Sequence, residues 1–120
     1  MKLWLVRHAQ VLLPPGICYG ATDVAADAAA TLSTAQALAA ELPQGLPLRV
    51  SPLQRCEQLA QALQGLRPDL VYKTTEPRLA EMDFGHWEGQ AWSSIPQHAS
   101  QVLSNRPNFC HWQIGLASRQ

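Results

Sequence analysis

Short apolar runs alternate along this chain with longer stretches of helical period. Leu3-Trp4-Leu5-Val6 is a run of four apolar residues that ends abruptly on Arg7 and His8. Such a run predicts a buried strand of a parallel sheet over residues 2–6. Residues 11–27 predict a long loop, punctuated by Pro14-Pro15-Gly16, Gly20 and Asp23. From 28 to 42, Leu32, Ala35, Ala39 and Leu42 recur at helical spacing in an alanine-rich background, and Pro43 stops the helix. Leu46 to Val50 predicts a second strand. Ser51-Pro52-Leu53-Gln54 then opens a second helix, with Ser51 as N-cap, Pro52 at the first helical position and Gln54 closing a capping box. Its apolar stripe is Leu53, Cys56, Ala60, Leu63 and Leu66. A turn at Gly65 to Asp69 leads to a third strand, Leu70-Val71-Tyr72. Strands alternating with helices imply β-α-β units, hence an α/β fold with a mainly parallel sheet. After Ser93 the period fades, and at most a short helix around 97–104 is expected.

Composition narrows the class. The 120 residues suit one domain, and 47% hydrophobic with 15% charged residues allows a buried core. Formal net charge is zero, with no basic stripe or tail, which argues against nucleic acid or an anionic membrane as partner. The four apolar residues before Arg7 are too few for a signal peptide, and no transmembrane run occurs. Cys18, Cys56 and Cys110 are odd in number and widely spaced, which points to a reducing cytoplasm rather than a disulfide framework.

Three stretches carry candidate chemistry. Ligands of open α/β sheets collect at the carboxyl ends of strands, where Arg7 and His8 fall. Arginine can fork onto phosphate oxygens, and histidine is a nucleophile or proton carrier near neutral pH. Taken alone, this pair is explained as well by a solvated strand end. Arg55 lies in the first turn of the second helix, beside free N–H groups and the positive end of the dipole, where a cation is unfavourable unless an anion is near. Glu81, Asp83 and Glu88 share an irregular segment with His86, Phe84 and Trp87. The two aromatics would anchor that segment, and a carboxylate held against them could serve as a proton donor.

In this order, strand-Arg7-His8, Ser51-Pro-Leu-Gln-Arg55 and Glu81-Met-Asp-Phe84-Gly85-x-Trp87-Glu88-Gly89 resemble the histidine phosphatase (phosphoglycerate mutase-like) superfamily. The stretch Gly16-Ile-Cys18-Tyr19-Gly20-Ala-Thr-Asp23 further resembles its α-ribazole phosphatase branch, which acts late in cobalamin synthesis. The resemblance implies a three-layer αβα fold and phosphomonoester hydrolysis through a phosphohistidine, with α-ribazole-5′-phosphate as substrate. His8 would be the nucleophile, Arg7 and Arg55 the phosphoryl clamps, and Glu81 the acid that protonates the leaving alkoxide and then helps activate water. A neutral His8 needs a partner that fixes its tautomer, and a backbone carbonyl is expected. No cofactor or metal is implied: His8, His86, His98 and His111 lack ligand spacing. The expected partner is a small phosphorylated metabolite.

Three features depart from the family pattern. Ala9 stands where glycine usually follows the nucleophile, and Val11 where threonine is common. No later strand-His-Gly segment supplies the family's second histidine. The tail from about Pro96 does not resemble the family, so the chain is expected to be a single domain truncated at its C-terminus. A sheet lacking its last strands exposes an edge, and self-association or weak monomer stability is expected from it. Phe109, Trp112 and Ile114 would cover the gap or lie loose. Two alternatives follow: a phosphoglycerate mutase-type phosphoryl transfer, sharing the same four residues, and a catalytically impaired remnant that only binds phosphate. A cysteine-dependent phosphatase is excluded, because no Cys-x5-Arg occurs.

Overall fold

The computed structural model describes residues 2–72 and 74–96. The helix expected around 97–104 and the residues His98, Phe109, Cys110, His111, Trp112 and Ile114 lie outside them.

Two helices form the centre. Helix α1 spans Ala28–Glu41, close to the predicted bounds. Asp27 caps it: its carboxylate accepts from the Ala30 N–H at 2.8 Å, and its carbonyl accepts from the Thr31 hydroxyl at 2.7 Å. At the other end, Arg67 donates to the carbonyls of Ala39 and Leu42 through Nη1 and of Pro43 through Nη2. These are acceptors that a helix terminus leaves without intrahelical partners. Asp69 holds Arg67 in a bidentate pair at 2.8 Å and also accepts from the Gly45 N–H. The Arg67 bonds, with the Gly45 N–H after them, hold its carboxyl well below the usual carboxylate range.

Helix α2 spans Gln54–Leu66. It begins later than the capping-box reading requires. Ser51 Oγ accepts only a 3.4 Å bond from the Leu53 N–H, and Leu53, in the N-cap position, makes no side-chain cap. The cap comes from the long loop instead: Asp23 Oδ1 accepts from the Gln54 N–H at 2.7 Å, and the Gln54 side chain donates back to the Asp23 carbonyl at 2.6 Å.

The helices pack against each other around Ala35, Leu42, Leu59, Leu63 and Leu70, flanked by Leu38, Leu46 and Leu48. Full burial of each leucine contributes on the order of 1.5–3 kcal/mol, so this cluster holds the pair together. The faces differ from the predicted stripes. Leu32 is exposed and Thr31 is buried in α1; Leu66 is exposed and Arg55 is buried in α2. In an alanine-rich helix the apolar stripe is weak, and the hydroxyl of Thr31 is already satisfied by Asp27, so it can turn inward.

The predicted sheet is reduced to isolated pairings. Residues 46–50 run parallel to 70–72 and 74–76, bridged at Pro47–Val71 and Val50–Thr75. Leu48 N–H donates to Val71 O at 2.7 Å, Val71 N–H to Leu46 O at 2.9 Å, and Glu76 N–H to Val50 O at 2.7 Å. Residues 2–6 form no bridge to any described residue, and Leu3, Trp4, Leu5 and Val6 are 40–80% exposed. An apolar run becomes a buried strand only when neighbours flank it, and none of the described residues does so. The described residues hold a helical pair, the parallel segments beside it and three short 3-10 helices. Among them, no helix is long and apolar enough to cross a membrane.

The loop 11–27 closes on itself through an antiparallel bridge between Val11 and Ala26, with Asp27 N–H donating to Gln10 O at 2.7 Å. From the burial pattern of α2, Leu63→Ala should cost about 2–5 kcal/mol in urea unfolding, whereas Leu66→Ala should cost about 1 kcal/mol or less. Equal losses would mean that the α2 face is assigned wrongly.

Candidate active site

The loop that follows His8 is clamped from two sides. On one side Asp23 caps α2. On the other, residues 16–18 pair with 89–92: Gly89 N–H donates to Cys18 O at 2.8 Å, Cys18 N–H to Gln90 O at 2.7 Å, and Trp92 N–H to Gly16 O at 2.8 Å. Gly89 takes φ +84°, a conformation that favours glycine. Cys18 is fully buried beneath this pairing, with Ile95, Phe84 and Trp87 around it. The two aromatics thus anchor the acidic segment, as their spacing predicts. Gly20 packs so closely that a Cβ there would overlap the Met82 carbonyl oxygen and the Phe84 ring.

This packing delivers two carbonyls to Arg55. Although it lies in the first turn of α2, Arg55 is only 1% exposed. Its Nη1 donates to Thr22 O and its Nη2 to Gly20 O, each at 2.7 Å. Its Cζ stands 5.0 Å from the centroid of the Tyr19 ring, within cation–π range. Glu81 Oε2 lies 3.9 Å from Nη2, at the outer limit of an ion pair, and that side chain is 47% exposed. The carbonyls and the ring therefore do most to hold this cation. Arg55 Nε is buried and has no partner among the described residues.

His8 also lies near Tyr19, with ring centroids 6.4 Å apart. Its Nδ1 stands 2.7 Å from the Ala9 carbonyl. A carbonyl can only accept, so this contact assigns the proton to Nδ1 and leaves the lone pair on Nε2. That Nε2 is buried and has no partner among the described residues. Burial lowers the imidazole pKa, the charges of Arg55 and Arg7 lower it further, and the Ala9 bond opposes them. These influences favour the neutral imidazole, with the lone pair on Nε2.

Arg7 and His8 open onto a cavity of about 460 Å³. Leu13, Pro15, Ile17, Tyr19 and Trp92 supply much of its wall. Arg55 and Glu81 are not among the residues that line it, but Arg55 packs on Tyr19, which is. The structure thus brings Arg7, His8 and Arg55 into one electrostatic neighbourhood, with Glu81 beside Arg55 on its more exposed side. His86 is exposed and lines no part of this cavity. Among the described residues no cluster of His, Cys, Asp and Glu is placed to hold a metal. Sequence reasoning missed the contributions of Tyr19, Thr22 and Trp92. For Tyr19, the only signal was its place in the Cys18-Tyr19-Gly20 loop.

Comparison with known proteins bears on the family and the fold. The model of the histidine phosphatase superfamily, branch 1, matches residues 3–113. The chain is similar to a solved phosphoglycerate mutase from Thermus thermophilus, at 29% identity and a TM-score of 0.69 over 86% of this chain and 56% of that one. The structure of TTHB049 from the same organism gives the same figures. A mycobacterial glucosyl-3-phosphoglycerate phosphatase, Rv2419c, shares the fold at 20% identity and a TM-score of 0.58, over 84% of this chain and 44% of that one. The chain spans 56% of the length of the Thermus structures. No curated protein sequence matches it.

The His8 environment has a measurable consequence. An unperturbed histidine titrates near 6.5, and folded His8 takes up its proton only at lower pH. Across that window the unfolded chain binds more protons, so the contribution of His8 to stability is full above it and falls as pH falls through it. Imidazole NMR should show the Nδ1–H tautomer at pH 7 and a midpoint below 6.5. A midpoint above 7, or an Nε2–H tautomer, would contradict the assigned geometry.

Proposed function

The chain belongs to the histidine phosphatase superfamily, branch 1, and from that premise we propose that it hydrolyses phosphomonoesters through a phosphohistidine at His8, with α-ribazole-5′-phosphate as substrate. The observation that carries this reading is the His8 tautomer: Ala9 O engages Nδ1, and a buried, unpartnered Nε2 remains beside Arg7 and Arg55.

In the first step, the Nε2 lone pair attacks phosphorus and the ester P–O bond breaks. The leaving alkoxide takes a proton from the Glu81 carboxylic acid, since an unprotonated alkoxide is a poor leaving group. Arg7 and Arg55 offset the charge on the phosphoryl oxygens. In the second step the Glu81 carboxylate accepts a proton from water, the water oxygen bonds to phosphorus, and the N–P bond breaks. Inorganic phosphate and neutral His8 result.

Two features support an aromatic-base nucleoside phosphate. The Gly16–Asp23 loop resembles the α-ribazole phosphatase branch. The cavity beside His8 is walled by Leu13, Pro15, Ile17, Tyr19 and Trp92, with Arg7 as the charged side chain in its lining. A phosphoglycerate would add a carboxylate to the phosphoryl group and need a further cation there. The mutase reading is favoured by the 29% identity to the Thermus phosphoglycerate mutase.

Assays with p-nitrophenyl phosphate, α-ribazole-5′-phosphate and 3-phosphoglycerate separate these readings. Hydrolysis of the nucleotide, retained in EDTA and reduced roughly 10³-fold or more in His8→Ala, is the expected result. Glu81→Gln should slow the nucleotide by about 10²–10⁴-fold and p-nitrophenyl phosphate much less, because nitrophenolate leaves without a proton. Phosphoryl transfer on 3-phosphoglycerate without nucleotide hydrolysis would establish the mutase instead. Full activity in His8→Ala would end the phosphohistidine mechanism.

A further inference from the structure

Glu88 is a half-buried carboxylate that makes no ion pair among the described residues. Both of its oxygens are spent on one residue. Oε1 accepts from the Thr22 N–H at 3.3 Å, and Oε2 accepts from the Thr22 hydroxyl at 2.9 Å. Thr22 is exposed and would otherwise be served by water. Its carbonyl, however, is one of the two acceptors that hold the buried Arg55 guanidinium. On its other flank, Asp23 is fixed by the α2 N-terminus through the Gln54 N–H and side chain. The peptide carrying the Thr22 carbonyl is therefore held by Glu88 on one side and by α2 on the other, and the Val24 N–H donates to that carbonyl at 2.9 Å.

We infer that Glu88 is a positioning residue that acts through Thr22 to aim the Arg55 guanidinium, and thereby sets the affinity of the site for a phosphoryl group. The inference rests on the reading of Arg55 as a phosphoryl ligand. The chain of contacts runs from Glu88 to the Thr22 N–H and hydroxyl, through the Thr22 carbonyl to Nη1, and leaves Nε as the unpartnered donor. A fixed guanidinium presents that donor in one direction, whereas a loose one loses ordering on binding. His8, fixed by its own Ala9 contact, is not on this path.

The test measures the dissociation constant of inorganic phosphate by calorimetry in Glu88→Ala, Glu88→Gln, Thr22→Val, Thr22→Ser and Arg55→Ala, with thermal melts and the His8 imidazole spectrum recorded for each. Loss of hydrogen bonds to a charged group implies about tenfold weaker phosphate binding in Glu88→Ala and Thr22→Val. Thr22→Ser, which keeps the hydroxyl, should restore affinity, and the His8 tautomer should be unchanged throughout. In turnover of p-nitrophenyl phosphate the loss should fall on KM more than on kcat. If Arg55→Ala weakens phosphate binding but neither Glu88 variant nor Thr22→Val does, the inference is overturned and the role of Arg55 stands. If Arg55→Ala itself leaves phosphate affinity unchanged, both fall. Should Glu88→Ala not fold, Glu88→Gln and Thr22→Val decide alone: unchanged affinity in both overturns the inference. Weaker binding in Thr22→Val that Thr22→Ser does not restore also overturns it.

Discussion

A guanidinium at 1% exposure is the constraint around which the described part of this molecule is arranged. Burying a charge is costly unless donors and acceptors are satisfied at close range. Arg55 meets that demand with the carbonyls of Gly20 and Thr22 and the face of Tyr19. To bring those groups there, the loop must fold back onto the start of α2. Asp23 caps that helix, Gly20 gives up a side chain so that Met82 and Phe84 can close in, and Cys18 is sealed beneath the pairing of 16–18 with 89–92. The start of α2, the path of the loop and the direction of the cation are one arrangement.

Tyr19 is common to both halves of the neighbourhood. Arg55, with Glu81 at the limit of an ion pair, packs on its ring, and His8, which opens with Arg7 onto the cavity, lies close to the same ring. Buried polar atoms ordinarily have partners. Here His8 Nε2 and Arg55 Nε have none among the described residues. One is a lone pair and the other an N–H donor, a pair suited to the phosphorus and the oxygens of one phosphoryl group.

Much of this was legible in the residues, and the failures have physical causes. The bounds of α1 followed from an alanine-rich run and Pro43, whereas its cap, Asp27, lies in the predicted loop. Its buried face did not follow, because Thr31 satisfies its own hydroxyl and can replace a leucine inward. Ser51-Pro52-Leu53-Gln54 has the pattern of a capping box, yet the cap arrives from Asp23, 31 residues away. Side-chain pattern reports local competition and not such long-range partners. The run Leu3–Val6 is apolar as a strand should be, but pairing is a property of neighbours, which that run does not encode. Arg7, His8, Arg55 and Glu81 were named as candidates from ordered motifs. The groups that orient them were missed because two are backbone carbonyls, at Gly20 and Thr22, and backbone atoms leave no trace in a sequence.

The central claim is that His8 carries the phosphoryl group. The most direct measurement is acid-quench-free trapping of the protein during turnover of a phosphomonoester, followed by intact mass and peptide mapping under alkaline conditions, where phosphohistidine survives. The account expects a single phosphoryl adduct on His8 that is lost on acidification and absent from His8→Ala. An adduct on another residue, or steady turnover with no adduct when the second step is slowed by Glu81→Gln, would contradict it.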